Sequence, residues 1–115
     1  MIDAKSVDAV EPFVTKDGST IRELHHTEVQ SLAEATLEVE QATERHYHSV
    51  AQEIYFVLKG QGKLEIDGEL TYVRPGDAVL IPAGAFHQLE NNGTSELRFL
   101  CFCTPAYSHD DTLFE

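Results

Sequence analysis

Basic residues are scarce in this chain. Its 115 residues include 8 Lys and Arg against 20 Asp and Glu, a formal charge of −12. Neutralising phosphates takes a basic face, and no Lys/Arg cluster exists here, so nucleic acid is not a partner and anionic membrane surfaces are disfavoured too. Single arginines such as Arg22 or Arg98 can still hold a small anion, because net charge does not decide a pocket. Cysteine is nearly absent: Cys101 and Cys103 flank Phe102 and have no other company. On a strand they would point to one face about 7 Å apart, near or beyond the limit for an unstrained bridge. A disulfide framework is therefore not expected, and a reducing cytoplasm is the simpler setting. Long apolar runs are missing as well. The longest, around Ile54–Leu58, is far too short to span a bilayer. The segment Met1–Asp8 has mixed charge and no apolar stretch, unlike a signal peptide.

What is present fits one domain of ordinary size. Apolar residues make up 42%, which argues against disorder across the chain. A domain of this length buries roughly 65% of its unfolded surface, enough for one core. From the middle onward, turn signals recur at short intervals: Gly60-Gln61-Gly62, Asp67-Gly68, Pro75-Gly76, Pro82-Ala83-Gly84 and Asn91-Asn92-Gly93. Between them lie Ile54–Leu58, Lys63–Ile66, Leu70–Val73, Ala78–Ile81, Phe86–Glu90 and Leu97–Cys103, all rich in β-formers. Short strands with this punctuation predict an all-β sandwich or barrel. Asp67-Gly68 reads as a two-residue hairpin turn of type I′, whose two positive φ angles Gly takes freely and Asp tolerates. Ile21–His25 and Leu32–Val39 are expected strands. For the second, Ala, Glu and Leu leave a helix as the competitor, and the period of two favours the strand. Residues 1–19 read as an N-terminal arm, 20–103 as the domain and 104–115 as a tail.

One constellation carries chemistry. His46 and His48 share a face of one strand, with Tyr47 pointing away. Glu53 follows a short connection that can reverse the chain, and Tyr55 and Val57 share its face. His87 comes from a third strand, after Pro82-Ala83-Gly84. Brought together, three neutral nitrogens and one carboxylate oxygen suit one divalent transition ion: Fe, Mn, Ni, Cu or Zn, among which ligand type does not choose. A six-coordinate ion would keep two open positions, unlike a closed structural zinc site. Gln52, beside Glu53, is an alternative oxygen donor.

These residues resemble the cupin superfamily. Its first motif is His-x-His, three or four residues, Glu, six residues, Gly; the chain has His46-x-His48, four residues, Glu53, six residues, Gly60. Its second motif is Gly, five residues, Pro-x-Gly, two residues, His, three residues, Asn; the chain has Gly76, Pro82-Ala83-Gly84, His87 and Asn91 at those spacings. Fifteen residues separate the two motifs, toward the short end for the family. One departure is Glu40, where cupins commonly have a Gly six residues before the first His; the turn leading into that strand is where a difference is expected. The resemblance implies a small double-stranded β-helix, a jelly-roll-like barrel of two antiparallel sheets, with the metal inside and usually a homodimer.

Other candidates are secondary. Tyr55 either packs or donates a hydrogen bond beside the ion. Phe99, Cys101 and Cys103 share one face of the last strand and are candidates to line the cavity; Arg98, Leu100 and Phe102 share the other and suit a second subunit. A thiolate site on Cys101/Cys103 competes with plain burial. His25 and His26 read as surface residues, and His109-Asp110-Asp111 as a charged tail that could also cover the barrel mouth. The function expected is a metal-dependent enzyme on a small oxygen-rich substrate, of the dioxygenase, decarboxylase/lyase or sugar isomerase/epimerase type. No catalytic base stands out beyond the ligands. The alternative is a non-catalytic module binding a small ligand or metal.

Overall fold

The computed structural model describes residues 1–115 and contains strands and no helix. Numbered in chain order, the strands are β1 Phe13–Val14, β2 Thr20–His26, β3 Ser31–Leu37, β4 His46–His48, β5 Gln52–Lys59, β6 Gly62–Ile66, β7 Glu69–Val73, β8 Ala78–Ile81, β9 His87–Glu90, β10 Leu97–Thr104 and β11 Thr112–Phe114. They build a six-stranded sheet, β1-β2-β3-β10-β5-β8, and a five-stranded sheet, β11-β4-β9-β6-β7. All pairings are antiparallel. This is the expected all-β double-stranded β-helix, with one refinement. The sheets are not hydrogen-bonded into a closed barrel; each keeps free edges, at β1 and β8 in one and at β11 and β7 in the other.

Local chemistry explains the elements. In β5, exposure alternates residue by residue, so Glu53, Tyr55 and Val57 face inward and Gln52, Ile54 and Phe56 outward. At Asp67-Gly68 both φ angles are positive, 47° and 89°, and Ile66 pairs with Glu69 across a two-residue turn. The segment Leu32–Val39 is a strand, β3, that stops at Leu37. Just beyond it Glu40 has φ of 71°. That is the left-handed region that Gly takes freely, and an L side chain there costs about 1–2 kcal/mol. Glu40→Gly should raise stability by about 0.5–1 kcal/mol after the entropy that Gly loses on folding. A urea midpoint that fails to rise would show that Glu40 makes compensating contacts.

Two segments expected to lie outside the domain contribute to the sheets. Residues 13–14 of the arm pair with β2, and residues 112–114 of the tail pair with β4. Neither strand is long enough to leave a periodic signal. The core lies between the sheets, with Leu37, Val57, Leu64, Leu89, Leu97 and Phe99 almost fully buried. Strand register places Cys103 opposite Glu53 and Cys101 opposite Tyr55. On the outer face of the larger sheet, Phe102, Ile54 and Leu80 form a cross-strand row, as do Leu100, Phe56 and Ala78.

Candidate metal centre

The smaller sheet supplies the imidazoles. His46 and His87 are direct cross-strand partners on β4 and β9, and His48 lies two residues along β4 on the same inward face. Their three ligand nitrogens lie within 4.8 Å of one another, and all three residues are buried. The larger sheet supplies Glu53, whose Oε1 stands 3.5 Å from Nε2 of His48 and 3.5 Å from Nε2 of His87. Two donors sharing one ion at about 2.1 Å each stand roughly 3–4 Å apart, so these spacings suit a common ion.

Each ring is held from behind. His46 Nδ1 lies 2.6 Å from the Glu44 carbonyl and His87 Nδ1 3.0 Å from the Ala85 carbonyl. A carbonyl accepts only, so each Nδ1 carries its proton and each Nε2 lone pair faces the centre. His48 Nδ1 is 3.4 Å from Thr112 Oγ1, which itself donates to the Ser108 carbonyl and is free to accept. On the carboxylate side, the Cys103 thiol donates to Glu53 Oε2 at 3.3 Å. Glu53 Oε1 and His87 Nε2, both buried, have no hydrogen-bond partner. Unpaired buried polar atoms are costly, and a divalent ion would be a partner to both at once.

The electrostatics agree. Burial pushes the Glu53 carboxyl upward, but the imidazoles of His48 and His87 outweigh it and hold the carboxyl far below its usual range. Burial lowers His48, and the facing Glu53 carboxylate reverses this to a net rise. His46 is lowered by burial and by the neighbouring His87. Tyr55 and Cys101 are pushed well up, by burial first and then by the Glu53 charge. The Cys103 thiol is raised for the same reasons. Both cysteines are therefore neutral thiols at ordinary pH, unbridged, and lining groups rather than a thiolate site.

Tyr55, Phe99, Cys101 and Cys103 do line a cavity with His46, His48 and Glu53, of about 40 Å³. Gln52 points outward and takes no part. His25 lies beside Asp3, His26 beside the Tyr107 carbonyl, and His109 beside the Tyr107 hydroxyl, all away from the cluster.

Sequence reasoning missed four contributors. Asp17 and Tyr107 line the same cavity. Thr112 backs His48. Asp111 receives Ser49 Oγ and the backbone N–H groups of Val50 and Ala51, fixing the connection between His48 and Glu53. The Asp-Gly pair at Asp17-Gly18 is a turn signal, yet nothing in the sequence places that turn near His46. Thr112→Val removes the acceptor behind His48. Outer contacts of this kind are worth about 10–100-fold in metal affinity, and at 3.4 Å the lower end is expected. Competition against a chromogenic chelator would measure it; an unchanged affinity would show that Thr112 does not orient the ring.

The Cupin domain family matches residues 33–103, well over half of the chain. The chain belongs to the cupin family. Among its relatives, the uncharacterized protein MJ1618 of Methanocaldococcus jannaschii is 44% identical over 110 residues, covering 91% of this chain and 88% of the relative. An oxalate-binding protein of Thermotoga maritima is 29% identical over 79 residues, covering 69% and 65%. Among solved structures, KdgF from a Halomonas species superposes with a TM-score of 0.81 at 17% identity, covering 96% of this chain and 97% of that one. At that identity the likeness is one of fold. In this cupin the asparagine of the second motif, Asn91, is a staple: its Nδ2 donates to the Leu37 and Ser95 carbonyls and its Oδ1 receives the Gly93 N–H. No helix of the cupin is long and apolar enough to cross a membrane.

Proposed function

We propose that this cupin holds one divalent transition ion on His46, His48, Glu53 and His87, and that it is a metal-dependent enzyme acting on a small, oxygen-rich molecule. The observation that carries this reading is the unpartnered pair Glu53 Oε1 and His87 Nε2, buried 3.5 Å apart beside two further imidazoles. Such an ion supplies Lewis acidity to a substrate oxygen. The chain's own residues do the rest. The backbone carbonyls behind His46 and His87 keep both Nε2 atoms aimed inward. Tyr55, kept protonated, offers a phenolic proton from the cavity wall. Phe99 and Ile21 exclude water. No Lys or Arg lines the cavity, so a phosphate or sugar-phosphate group finds no cation to pair with.

The reaction classes open to this site are dioxygenation, decarboxylation or lyase chemistry, and isomerisation or epimerisation. Elemental analysis should find about one transition ion per chain, and a metal-free preparation that cannot be reloaded would refute the site. Oxygen uptake on a screen of small acids and diols then separates oxygenase from the other classes. A non-catalytic binding module is the second reading, supported by the relative named as an oxalate-binding protein; tight binding with no turnover would favour it.

We further infer a cytoplasmic homodimer. The unbridged thiols fit a reducing compartment, and the outer rows of the larger sheet leave Ile54, Phe56, Leu58 and Leu80 exposed. A contiguous apolar face of this kind is what a second copy would cover. Phe56→Glu should shift the protein to monomer in analytical ultracentrifugation; an unchanged mass would place any interface elsewhere.

A further inference from the structure

Asp17 occupies a bend between β1 and β2, in the arm that the motif residues do not reach. Its Oδ1 is saturated: it receives Thr15 Oγ1 at 2.7 Å, the Ser19 N–H at 2.9 Å and Ser19 Oγ at 2.7 Å. Its Oδ2 receives none of these and stands 3.7 Å from Nε2 of His46, the atom that faces the centre. The bend is fastened to the segment before β4, since the Glu44 N–H donates to the Asp17 carbonyl and Gln41 Nε2 to the Gly18 carbonyl. The side chain is largely buried, 16% exposed.

Glu53 is built the same way. One of its carboxylate oxygens is tied down by a protein donor, and the other is left free, 3.5 Å from two imidazole Nε2 atoms. A turn-forming aspartate needs only its Oδ1. Nothing about the turn requires the second oxygen to face a buried histidine cluster. Its distance from Nε2 of His46 lies within the roughly 3–4 Å that separates two donors on one ion.

We propose that Asp17 is a second carboxylate ligand of the metal centre. This rests on the reading of His46, His48, Glu53 and His87 as ligands. Two carboxylates balance the charge of a divalent ion. With three nitrogens and two oxygens on a six-coordinate ion, one position stays open rather than two. A neutral centre with one open position takes an uncharged oxygen, such as a hydroxyl or carbonyl. It disfavours a chelating dianion such as oxalate, which needs two positions and a residual positive charge.

The test uses the full chain loaded with Mn²⁺ and the variant Asp17→Asn. Asn keeps an oxygen for the Ser19 and Thr15 donors and turns an amide N–H₂ toward the centre. Mn²⁺ affinity should fall at least about tenfold, the lower bound even for outer contacts. Oxalate should bind Mn²⁺-loaded Asp17→Asn more tightly than the loaded wild type. A second measurement needs no variant: water counting on wild-type Mn²⁺ protein by pulsed EPR in ¹⁷O-water should find one coordinated water. Two waters, or an Asp17→Asn affinity equal to wild type, would overturn the assignment of Asp17. Wild type that binds no ion would instead overturn the four-residue centre itself.

Discussion

With His48 and His87 both replaced by alanine, the cupin keeps its two-sheet fold and loses its ion. Two of the three imidazole donors are gone. Changes to outer contacts alone cost roughly 10–100-fold, so this loss takes affinity out of the range of an ordinary titration. The fold survives because the buried leucines Leu37, Leu64, Leu89 and Leu97 belong to the apolar core and do not line the site cavity. Glu53 is the group left in difficulty. Its carboxyl is held down by the same two imidazoles, and without them burial drives it toward the neutral acid. The variant is therefore less stable than wild type but still folded, with the strand-type circular dichroism of the parent. Retained stoichiometric metal would show that the ligands have been misassigned.

The parts of this centre that were legible in the sequence are those whose spacing is local. His46 and His48 share a face because strands alternate. Glu53 and Gly60 sit at fixed offsets along one strand and its turn. Pro82-Ala83-Gly84 delivers His87, and the Gly84 N–H donates to the His48 carbonyl, locking that turn onto β4. Gly60 itself is demanded by packing, since a Cβ there would lie 2.5 Å from the Glu96 carbonyl oxygen. The contributors that escaped are those brought in by long-range pairing. Asp17, Asp111 and Thr112 come from segments that read as arm and tail. β1 has two residues and β11 three, too few for a period to show. Their contacts with the site join residues tens of positions apart, which no local pattern encodes. The same holds for closure: alternation predicted inward and outward faces correctly, but whether two sheets join into a barrel depends on edge pairing, and these edges stay open.

Stability should respond to pH in opposite ways with and without metal. In the metal-free chain His48 is raised above its ordinary value. Its contribution is complete below about pH 6.5 and is lost as pH rises through the raised value. Glu53 is depressed, so its contribution is complete above about pH 4.3 and is lost only as pH falls through its depressed value. His46, depressed by burial and by His87, costs stability once pH drops below about 6.5, because the unfolded chain takes up its proton first. The three together place the stability maximum of the metal-free protein near pH 6.5, with a decline on either side. With metal the high-pH side inverts. Protons compete for the imidazole nitrogens, so the stabilisation by metal vanishes in acid and grows as pH rises past 7. At a free metal concentration 1,000 times the dissociation constant it reaches about 4 kcal/mol. Thermal unfolding from pH 5 to 8, once with chelator and once with excess metal, would read both curves. They should converge near pH 5 and diverge steadily above it; parallel curves would mean that the ion, if bound, is not held by three histidines.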